Sequence, residues 1–208
     1  MMRELIVDYI PFDISRDTIN ESIKNNNGRL IVKGVLQRAE AKNQNGRVYP
    51  RDTLVREAKK YAKIQIKERR ALGELDHPDS SVVNLNNASH NVLEMHWKGD
   101  DLVGTVEVLT TPSGNILREL FRNGIKLRIS SRGVGSVETV KESTDGEEAQ
   151  EVQNDFELIA FDFVSNPSTQ GAFMYPMNES VDRQNPVGRT CGDYCKAEDI
   201  INKIMREE

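Results

Sequence analysis

The stretch NVLEMHWKGDDLVGTVEVL, residues 91–109, decides the fold class. Apolar and polar residues alternate on both sides of the turn at 98–101, a pattern typical of two antiparallel strands joined by a short loop. The core face of the first strand consists of Leu93, Met95 and Trp97, and that of the second consists of Leu102, Gly104, Val106 and Val108. The sequence therefore predicts a β-hairpin near its centre.

Further strands and helices are predicted on both sides of this hairpin. The strands are expected at 29–37, 127–137 and 156–164, and an acidic hairpin tip is expected around Asp145 and Gly146. A helix is predicted over about 50–70, with Pro50 at its start, and a second begins at Thr111 and Pro112 and stops at Asn123 and Gly124. This mixture predicts an α+β domain.

The C-terminal part of the 208-residue chain differs in character. Residues 176–193 are polar, contain two prolines and show no periodicity, which predicts a flexible linker. Residues 194–208 place Ile200, Ile201, Ile204 and Met205 on one face of a short helix. We therefore expect a folded domain at 1–175, a linker at 176–193 and a C-terminal helix at 194–208.

Composition excludes several classes of protein. The formal net charge is -5, so a protein dedicated to neutralising nucleic-acid phosphates is not expected. The apolar runs are far shorter than a membrane span, and the N-terminus lacks the apolar region of a signal peptide. Two cysteines, Cys191 and Cys195, supply neither a disulfide framework nor a zinc site. A soluble protein of a reducing, cytoplasmic compartment is expected.

Three residues could form a hydrolytic site. Ser130 is a small polar residue in an apolar strand, on the face opposite to Ser131, and a serine needs a base before it attacks a carbonyl. His77, in a loop after a helix, can act as that base near neutral pH. Asp162 lies in an apolar strand, where an acid requires a partner such as an imidazole N–H. Together these residues have the composition of a Ser-His-Asp triad.

Taken singly, each of these residues is explained more simply by a structural role. Ser130 could be a core serine bonded to the backbone, His77 a loop or capping histidine, and Asp162 the partner of an arginine. Spacing along the chain does not show that the three meet. His90 and His96 are expected to be structural, because no third ligand stands at a known metal spacing, and no metal or cofactor is expected.

Several motifs together resemble one known family. They are the segment at 35–40, the segment ending in Asn45-Gly46-Arg47-Val48-Tyr49-Pro50, the loop ALGELDHP at 71–78, the turn at 97–100 and the strand SSRGVGS at 130–136. In this combination the chain is similar to the prohead core proteases of T-even-type tailed phages, which are related in fold to the herpesvirus assembly protease. The similarity runs collinearly from about residue 29 to 176.

The resemblance implies a serine endopeptidase with a β-barrel core flanked by helices. Position by position, Ser130 matches the nucleophile, His77 the general base and Asp162 the acidic third member of the triad. Arg132 and the Gly133 backbone match the position of the oxyanion hole, and a glycine there also lets a backbone N–H approach a ligand closely.

The resemblance also implies a cleavage preference. Family members cut after glutamate when an apolar residue stands two positions earlier, which requires a cation in the specificity pocket; our candidates are Arg128, Arg47 and Lys126. The pattern recurs in the chain itself, at 177–180 in the linker and at 19–22. We therefore predict self-cleavage between Glu179 and Ser180.

Partners and location follow from the same family. Scaffold, core and major capsid proteins are the expected substrates, and the host cytoplasm inside the immature capsid is the expected location; neither a membrane nor a direct nucleic-acid role is expected, and a homo-oligomer is possible. Two alternatives stay open. One is a non-catalytic core or scaffold-binding protein, and the other is a metal-dependent hydrolase built on His77, His90 and His96.

Overall fold

The structure is a computed structural model that describes residues 4–11, 16–43, 45–78, 80–125, 127–141, 148–165 and 174–176. These residues all belong to one compact unit, 1–178. The terminal helix, all but the first residue of the predicted linker, Lys126, the Glu179–Ser180 bond, the two cysteines and the tip at 145–146 lie outside the described residues.

The described residues form three helices and eleven strands. The helices are α1 Arg16–Asn25, α2 Arg51–Tyr61 and α3 Pro112–Arg122, and α2 continues into a π-helical turn at Ala62–Ile66. The strands are β1 Glu4–Pro11, β2 Leu30–Arg38, β3 Arg47–Val48, β4 Leu72–Glu74, β5 Ala88–Lys98, β6 Asp101–Val108, β7 Arg128–Gly135, β8 Val137–Lys141, β9 Glu148–Val152, β10 Glu157–Val164 and β11 Met174–Pro176. A 3₁₀ turn at Leu85–Asn87 precedes β5.

The central hairpin is confirmed. Strands β5 and β6 pair antiparallel from His90 opposite Val108 to Lys98 opposite Asp101, and Gly99 forms the turn with a φ of 60°. They lie in a five-stranded sheet of order β11-β2-β6-β5-β4. Leu36 packs over Gly104 of this sheet, where a Cβ atom would come within 2.3 Å of the leucine side chain.

Two three-stranded sheets complete the arrangement. One has the order β1-β7-β10 and the other the order β3-β9-β8. A parallel bridge between Leu75 and Phe163 links the end of β4 to β10. Among the described residues these ladders do not join into one closed barrel, so the mixed α and β architecture is confirmed while the closed barrel and the likeness to the herpesvirus protease stay predictions.

Two elements near the N-terminus were not predicted, β1 and α1. In β1 the side chains of Ile6 and Asp8 lie on the same face and both are fully buried, so a charged residue interrupts the apolar pattern of a strand. In α1 the apolar face consists of Ile19 and Ile23 alone, too short a pattern to identify a helix.

No helix among the described residues is long and apolar enough to span a membrane.

Helix α3 agrees closely with its prediction. The Thr111 hydroxyl accepts a hydrogen bond from the Gly114 N–H at 3.1 Å, which caps the helix, and Gly124 ends it with a φ of 72°. Leu117 and Phe121 are buried in the core, but Ile116 is 54% exposed, so the apolar stripe is narrower than predicted.

Candidate active site

Strand β7 carries the candidate nucleophile in the middle of its sheet. It pairs with β10 on one side, where Ser130 stands opposite Asp162, and with β1 on the other side, where Ser131 stands opposite Asp8. Residues directly opposite each other in an antiparallel pair share a face, and neighbours along a strand lie on opposite faces. Ser130 and Asp162 therefore share one face, and Ser131 and Asp8 share the other.

His77 reaches the Ser130 face because the chain turns sharply after β4. Asp76 adopts a φ of 67°, which non-glycine residues rarely adopt, and its N–H donates to the Phe163 carbonyl at 2.8 Å. The next residue, His77, then lies over β10 with its Nδ1 atom 3.0 Å from Asp162 Oδ2. A carboxylate can only accept, so Nδ1 carries the proton and Nε2 is the atom that can take another.

The Asp162 carboxylate accepts four hydrogen bonds. Its Oδ2 atom accepts from His77 and from Arg132 Nε at 2.8 Å, and its Oδ1 atom accepts from the Glu74 N–H at 2.9 Å and from Arg132 Nη2 at 3.2 Å. Both the carboxylate and the guanidinium are fully buried. The sequence left open whether Asp162 pairs with an imidazole or with an arginine, and the structure shows both.

Arg132 has contacts that the sequence did not suggest. Besides Asp162, its guanidinium donates to Glu74 Oε1 at 2.9 Å and to the Ser80 carbonyl at 2.7 Å. Every nitrogen of the side chain thus binds an oxygen of the protein. A role for this side chain in an oxyanion hole stays a prediction, and its observed contacts hold Asp162 and the His77 loop in place.

Gly133 lies on the opposite face from Ser130, with Ser131. A Cβ atom at this position would come within 2.3 Å of the Phe156 ring and 2.7 Å of the Glu157 carbonyl. Packing against Phe156 therefore explains the glycine, whereas the sequence had suggested that it admits a ligand. The oxyanion role of its backbone N–H stays a prediction as well.

The two adjacent serines have different hydrogen bonds. Ser131 Oγ accepts from Gln37 Nε2 at 2.7 Å and also bonds to Tyr49, whose hydroxyl donates to Asp8. Among the described residues, the one hydrogen bond of Ser130 Oγ goes to the Ser131 carbonyl at 3.4 Å, longer than an ordinary O–H···O bond. The hydrogen bonds of Ser131 therefore explain why this serine is buried. The single weak bond of Ser130 does not explain the burial of Ser130.

Burial raises the pKa values on the Ser131 face. The pKa of Asp8 lies above its usual value, mainly because burial disfavours its charge and despite the hydrogen bond from Tyr49. Burial and the neighbouring Asp8 likewise raise the pKa of Tyr49 well above its usual value. Tyr49 therefore stays protonated. Together, Asp8, Tyr49 and Gln37 hold strand β7 through its Ser131 face.

The candidate residues of the site differ in their exposure. Ser130, Asp162 and Arg132 are fully buried, whereas 12% of the His77 side chain is exposed. Of the three candidate residues, His77 is the one with a partly exposed side chain, although its Nε2 atom is itself buried.

The three substrate-binding candidates are placed differently. Arg128 stands two residues before Ser130 in β7, on the same face, and burial lowers its pKa. Arg47 instead lies beside Asp8, with Nη1 at 3.4 Å from Oδ1, and so belongs to the Ser131 face. Lys126 lies outside the described residues. Of the three, Arg128 is the one that the described structure brings to the Ser130 face.

His90 has a structural role. Its Nε2 atom lies 2.8 Å from the Phe161 carbonyl and its Nδ1 atom 2.8 Å from Ser89 Oγ, so both nitrogens are bonded. Burial lowers its pKa to about 4, and the imidazole is neutral at physiological pH. Among the described residues no cluster of His, Cys, Asp and Glu could hold a metal ion, so nothing there favours the metal-hydrolase alternative.

The second self-cleavage motif, at 19–22, is not accessible. It lies within α1, where Ile19 is fully buried and the Ser22 hydroxyl donates to the Ile31 carbonyl at 2.8 Å. Cleavage there would require the helix to unfold, so we exclude this segment. The Glu179–Ser180 bond lies outside the described residues and its cleavage stays a prediction.

Glu74 is the residue of this site that sequence reasoning missed. It is fully buried, its carboxylate binds Arg132, and its N–H binds Asp162. The signal that the sequence offered was an acid three residues before His77, in the segment Gly73-Glu74-Leu75-Asp76-His77.

Comparison with known proteins identifies the family. The family model described as prohead core protein serine protease matches residues 6–182, and the chain belongs to this family. The prohead core protein protease of Enterobacteria phage T4 is 32% identical over 192 residues, which cover 90% of this chain and 86% of that protein. The structure of the bacteriophage T4 capsid assembly protease superposes with a TM-score of 0.66 at 24% identity, covering 80% of this chain and all of that one, and this likeness supports the fold.

Proposed function

We propose that this chain is a serine endopeptidase in which Ser130, His77 and Asp162 form the catalytic triad. The observation that carries the proposal is the 3.0 Å contact between His77 Nδ1 and Asp162 Oδ2, made by an aspartate that stands directly opposite Ser130 in the sheet. The family membership supports a protease of the prohead. The contact between His77 and Asp162, and the position of Ser130 opposite Asp162, support the assignment of the serine protease reaction to these three residues.

The chemistry follows from the roles of the three groups. Ser130 Oγ attacks the carbonyl carbon of the scissile bond while His77 Nε2 takes its proton, and Asp162 orients the imidazole and stabilises its charged form. His77 then returns the proton to the leaving amine as the C–N bond breaks. Water, activated by the same imidazole, hydrolyses the acyl ester and restores Ser130.

The negative oxygen of the intermediates requires hydrogen-bond donors. We assign these to the strand around Arg132 and Gly133, following the family resemblance. The Arg132 guanidinium donates to four protein oxygens in the described structure, so we expect it to act mainly by holding Asp162. We expect backbone N–H groups to face the oxyanion.

Labelling with a serine-directed reagent tests the proposal. Diisopropyl fluorophosphate is expected to modify the purified chain once, and peptide mass mapping is expected to place the adduct on Ser130. Prior treatment with EDTA should leave the labelling rate unchanged, because the mechanism needs no metal. An adduct on another serine, or no adduct, would contradict the assignment, and loss of labelling with EDTA would favour a metal-dependent enzyme.

We further propose that Arg128 binds the glutamate of the substrate. It lies on the Ser130 face about 7 Å along the strand, within reach of a side chain next to the scissile bond. The described residues offer it no carboxylate partner, and burial lowers its pKa, so a substrate carboxylate would stabilise its charge.

Charge reversal at Arg128 tests this specificity. We expect the wild-type chain to cut the peptide MYPMNESVDR, its own residues 174–183, at least about 100-fold faster than the same peptide with glutamine for glutamate. Arg128→Glu should remove this preference, and Arg122→Glu, a reversal of an exposed arginine on α3, should preserve it. A glutamate preference that survives in Arg128→Glu excludes this residue.

The expected substrates are scaffold, core and major capsid proteins, cut inside the immature capsid. The names of the T4 matches, prohead core protein protease for the sequence and capsid assembly protease for the structure, support this assignment. We propose self-cleavage after Glu179 as part of the same maturation, since the peptide bond there fits the specificity that Arg128 would impose.

A further inference from the structure

We propose that Glu74 is a positioning residue that offsets the charge of Arg132, so that His77 faces a net negative environment. The inference rests on the proposed triad and adds a fourth member to it. We call the set of Glu74, Arg132 and Asp162 the buried charge cluster.

The charges of this cluster do not cancel. All three side chains are fully buried, and the arginine binds both acids, with Nη2 at 2.9 Å from Glu74 Oε1 and Nε at 2.8 Å from Asp162 Oδ2. Two carboxylates and one guanidinium carry a net charge of one negative unit. An imidazolium on His77 brings the sum to zero.

Without Glu74 the net charge around His77 would be unfavourable for catalysis. Arg132 would then neutralise Asp162, and an imidazolium would form beside a pair of zero net charge. Charge interactions are strong where water is excluded, so the second carboxylate favours the protonated base that catalysis transiently forms. Glu74 acts on His77 through Arg132 and Asp162, and nothing in its position requires it to touch the substrate.

Glu74 also connects the acid to the loop that carries the base. Its N–H donates to Asp162 Oδ1 at 2.9 Å, and its Oε1 atom accepts from the Asn84 N–H at 3.0 Å. Asn84 ends the loop that begins after β4 and contains His77. Glu74 thus holds the Asp162 carboxylate with its backbone N–H, and it holds the far end of the His77 loop with its own carboxylate.

Two titratable groups behind the cluster, Tyr61 and His90, stay neutral over the range of an activity assay. The groups around the imidazole are Asp162 of β10, Arg132 of β7, Glu74 of β4 and the exposed Asp76 of the loop, with Tyr61 of α2 and His90 of β5 behind them. Burial, and then the charge of Asp162, raises the pKa of Tyr61, and burial lowers that of His90 to about 4. A change of charge at Glu74 can therefore be measured at the base.

The test measures the pH dependence of labelling with diisopropyl fluorophosphate, with the adduct located on Ser130. In Glu74→Gln we expect the maximal labelling rate to fall about tenfold or more, because the imidazolium loses a neighbouring negative charge. For the same reason the midpoint of the acid limb should move to lower pH by about one unit. A purely structural role would lower the rate without moving the midpoint.

Two further variants sharpen the result. The double variant with Glu74→Gln and Arg132→Met removes one charge of each sign, so its acid limb should return to the wild-type midpoint even if its rate stays low. Glu57→Gln is the matched control, since Glu57 is also buried and also accepts from an arginine and from a distant backbone N–H, that of Leu158. We expect it to leave both rate and midpoint unchanged.

Each outcome decides the inference. A folded Glu74→Gln protein with the wild-type midpoint overturns it and leaves the proposed triad intact, because Ser130 is still labelled. If circular dichroism shows that the single variant is unfolded, the double variant decides: a midpoint displaced to lower pH overturns the inference, and the wild-type midpoint supports it. A wild-type chain that is not labelled at Ser130 overturns the proposed function and this inference together.

Discussion

Ser130→Ala is expected to abolish peptide-bond cleavage, with a loss of about 10³-fold or more, because no other group can form the acyl ester. Denatured casein is a suitable substrate, with products followed by mass spectrometry. The variant should fold normally, since the hydroxyl makes one long bond to the Ser131 carbonyl. It should also retain the full mass of residues 1–208, whereas the active chain is expected to lose the residues beyond 179.

The adjacent serine provides the matched control. Ser131→Ala removes the same hydroxyl from the same strand, but on the face of Gln37 and Tyr49. It should retain most of the activity and lose about 1–3 kcal/mol of unfolding free energy, because buried partners are left unpaired. If Ser131→Ala abolishes cleavage while Ser130→Ala does not, the two serines have been assigned the wrong way round.

Asp162→Asn is the second change with a large expected effect. We expect cleavage to fall about 10⁴-fold, because an amide cannot hold the imidazole in the tautomer with a proton on Nδ1 or stabilise its charge. Stability should fall as well, by about 3–5 kcal/mol, because Arg132 loses a buried ionic partner. Urea unfolding and kcat, measured on the same preparation, separate the two effects.

Asp8→Asn is the matched control for Asp162→Asn. Asp8 is also fully buried and also stands opposite a serine of β7, but it lies on the Ser131 face and bonds to Tyr49. It should retain catalysis when assayed below its unfolding transition. An Asp162→Asn protein that is folded and cleaves at the wild-type rate would show that Asp162 is structural.

The fold was predictable where local pattern and packing agree. The hairpin of β5 and β6 shows clean alternation on both strands, and helix α3 has both a capping threonine and a terminating glycine. Strand β1 was missed for a physical reason, since its inward face includes Asp8, whose burial depends on Tyr49, some forty residues away. A single-sequence pattern cannot show that a distant hydroxyl satisfies an acid.

The residue types of the candidate site were predictable from the sequence, but the contacts among those residues were predictable only in part. Ser130 and Asp162 were suggested by polar residues in apolar strands, and the structure places them opposite each other. Glu74 was missed because its partners, Arg132 and Asn84, come from other segments. The glycine after Arg132 was expected to let a ligand approach the backbone, but the structure explains it by the close packing of the Phe156 ring.

The two polar clusters on opposite faces of β7 also specify how the strand aligns with its neighbours. A shift of one residue would turn every side chain to the other face, moving Ser131 to the position of Ser130 and Arg132 to the position of Ser131. Such a shift would separate Arg132 from Asp162 and Ser131 from Gln37 at once. The misaligned pairing would leave buried charges and amides without partners, so the hydrogen bonds on both faces favour the alignment that places Ser130, and not Ser131, beside Asp162.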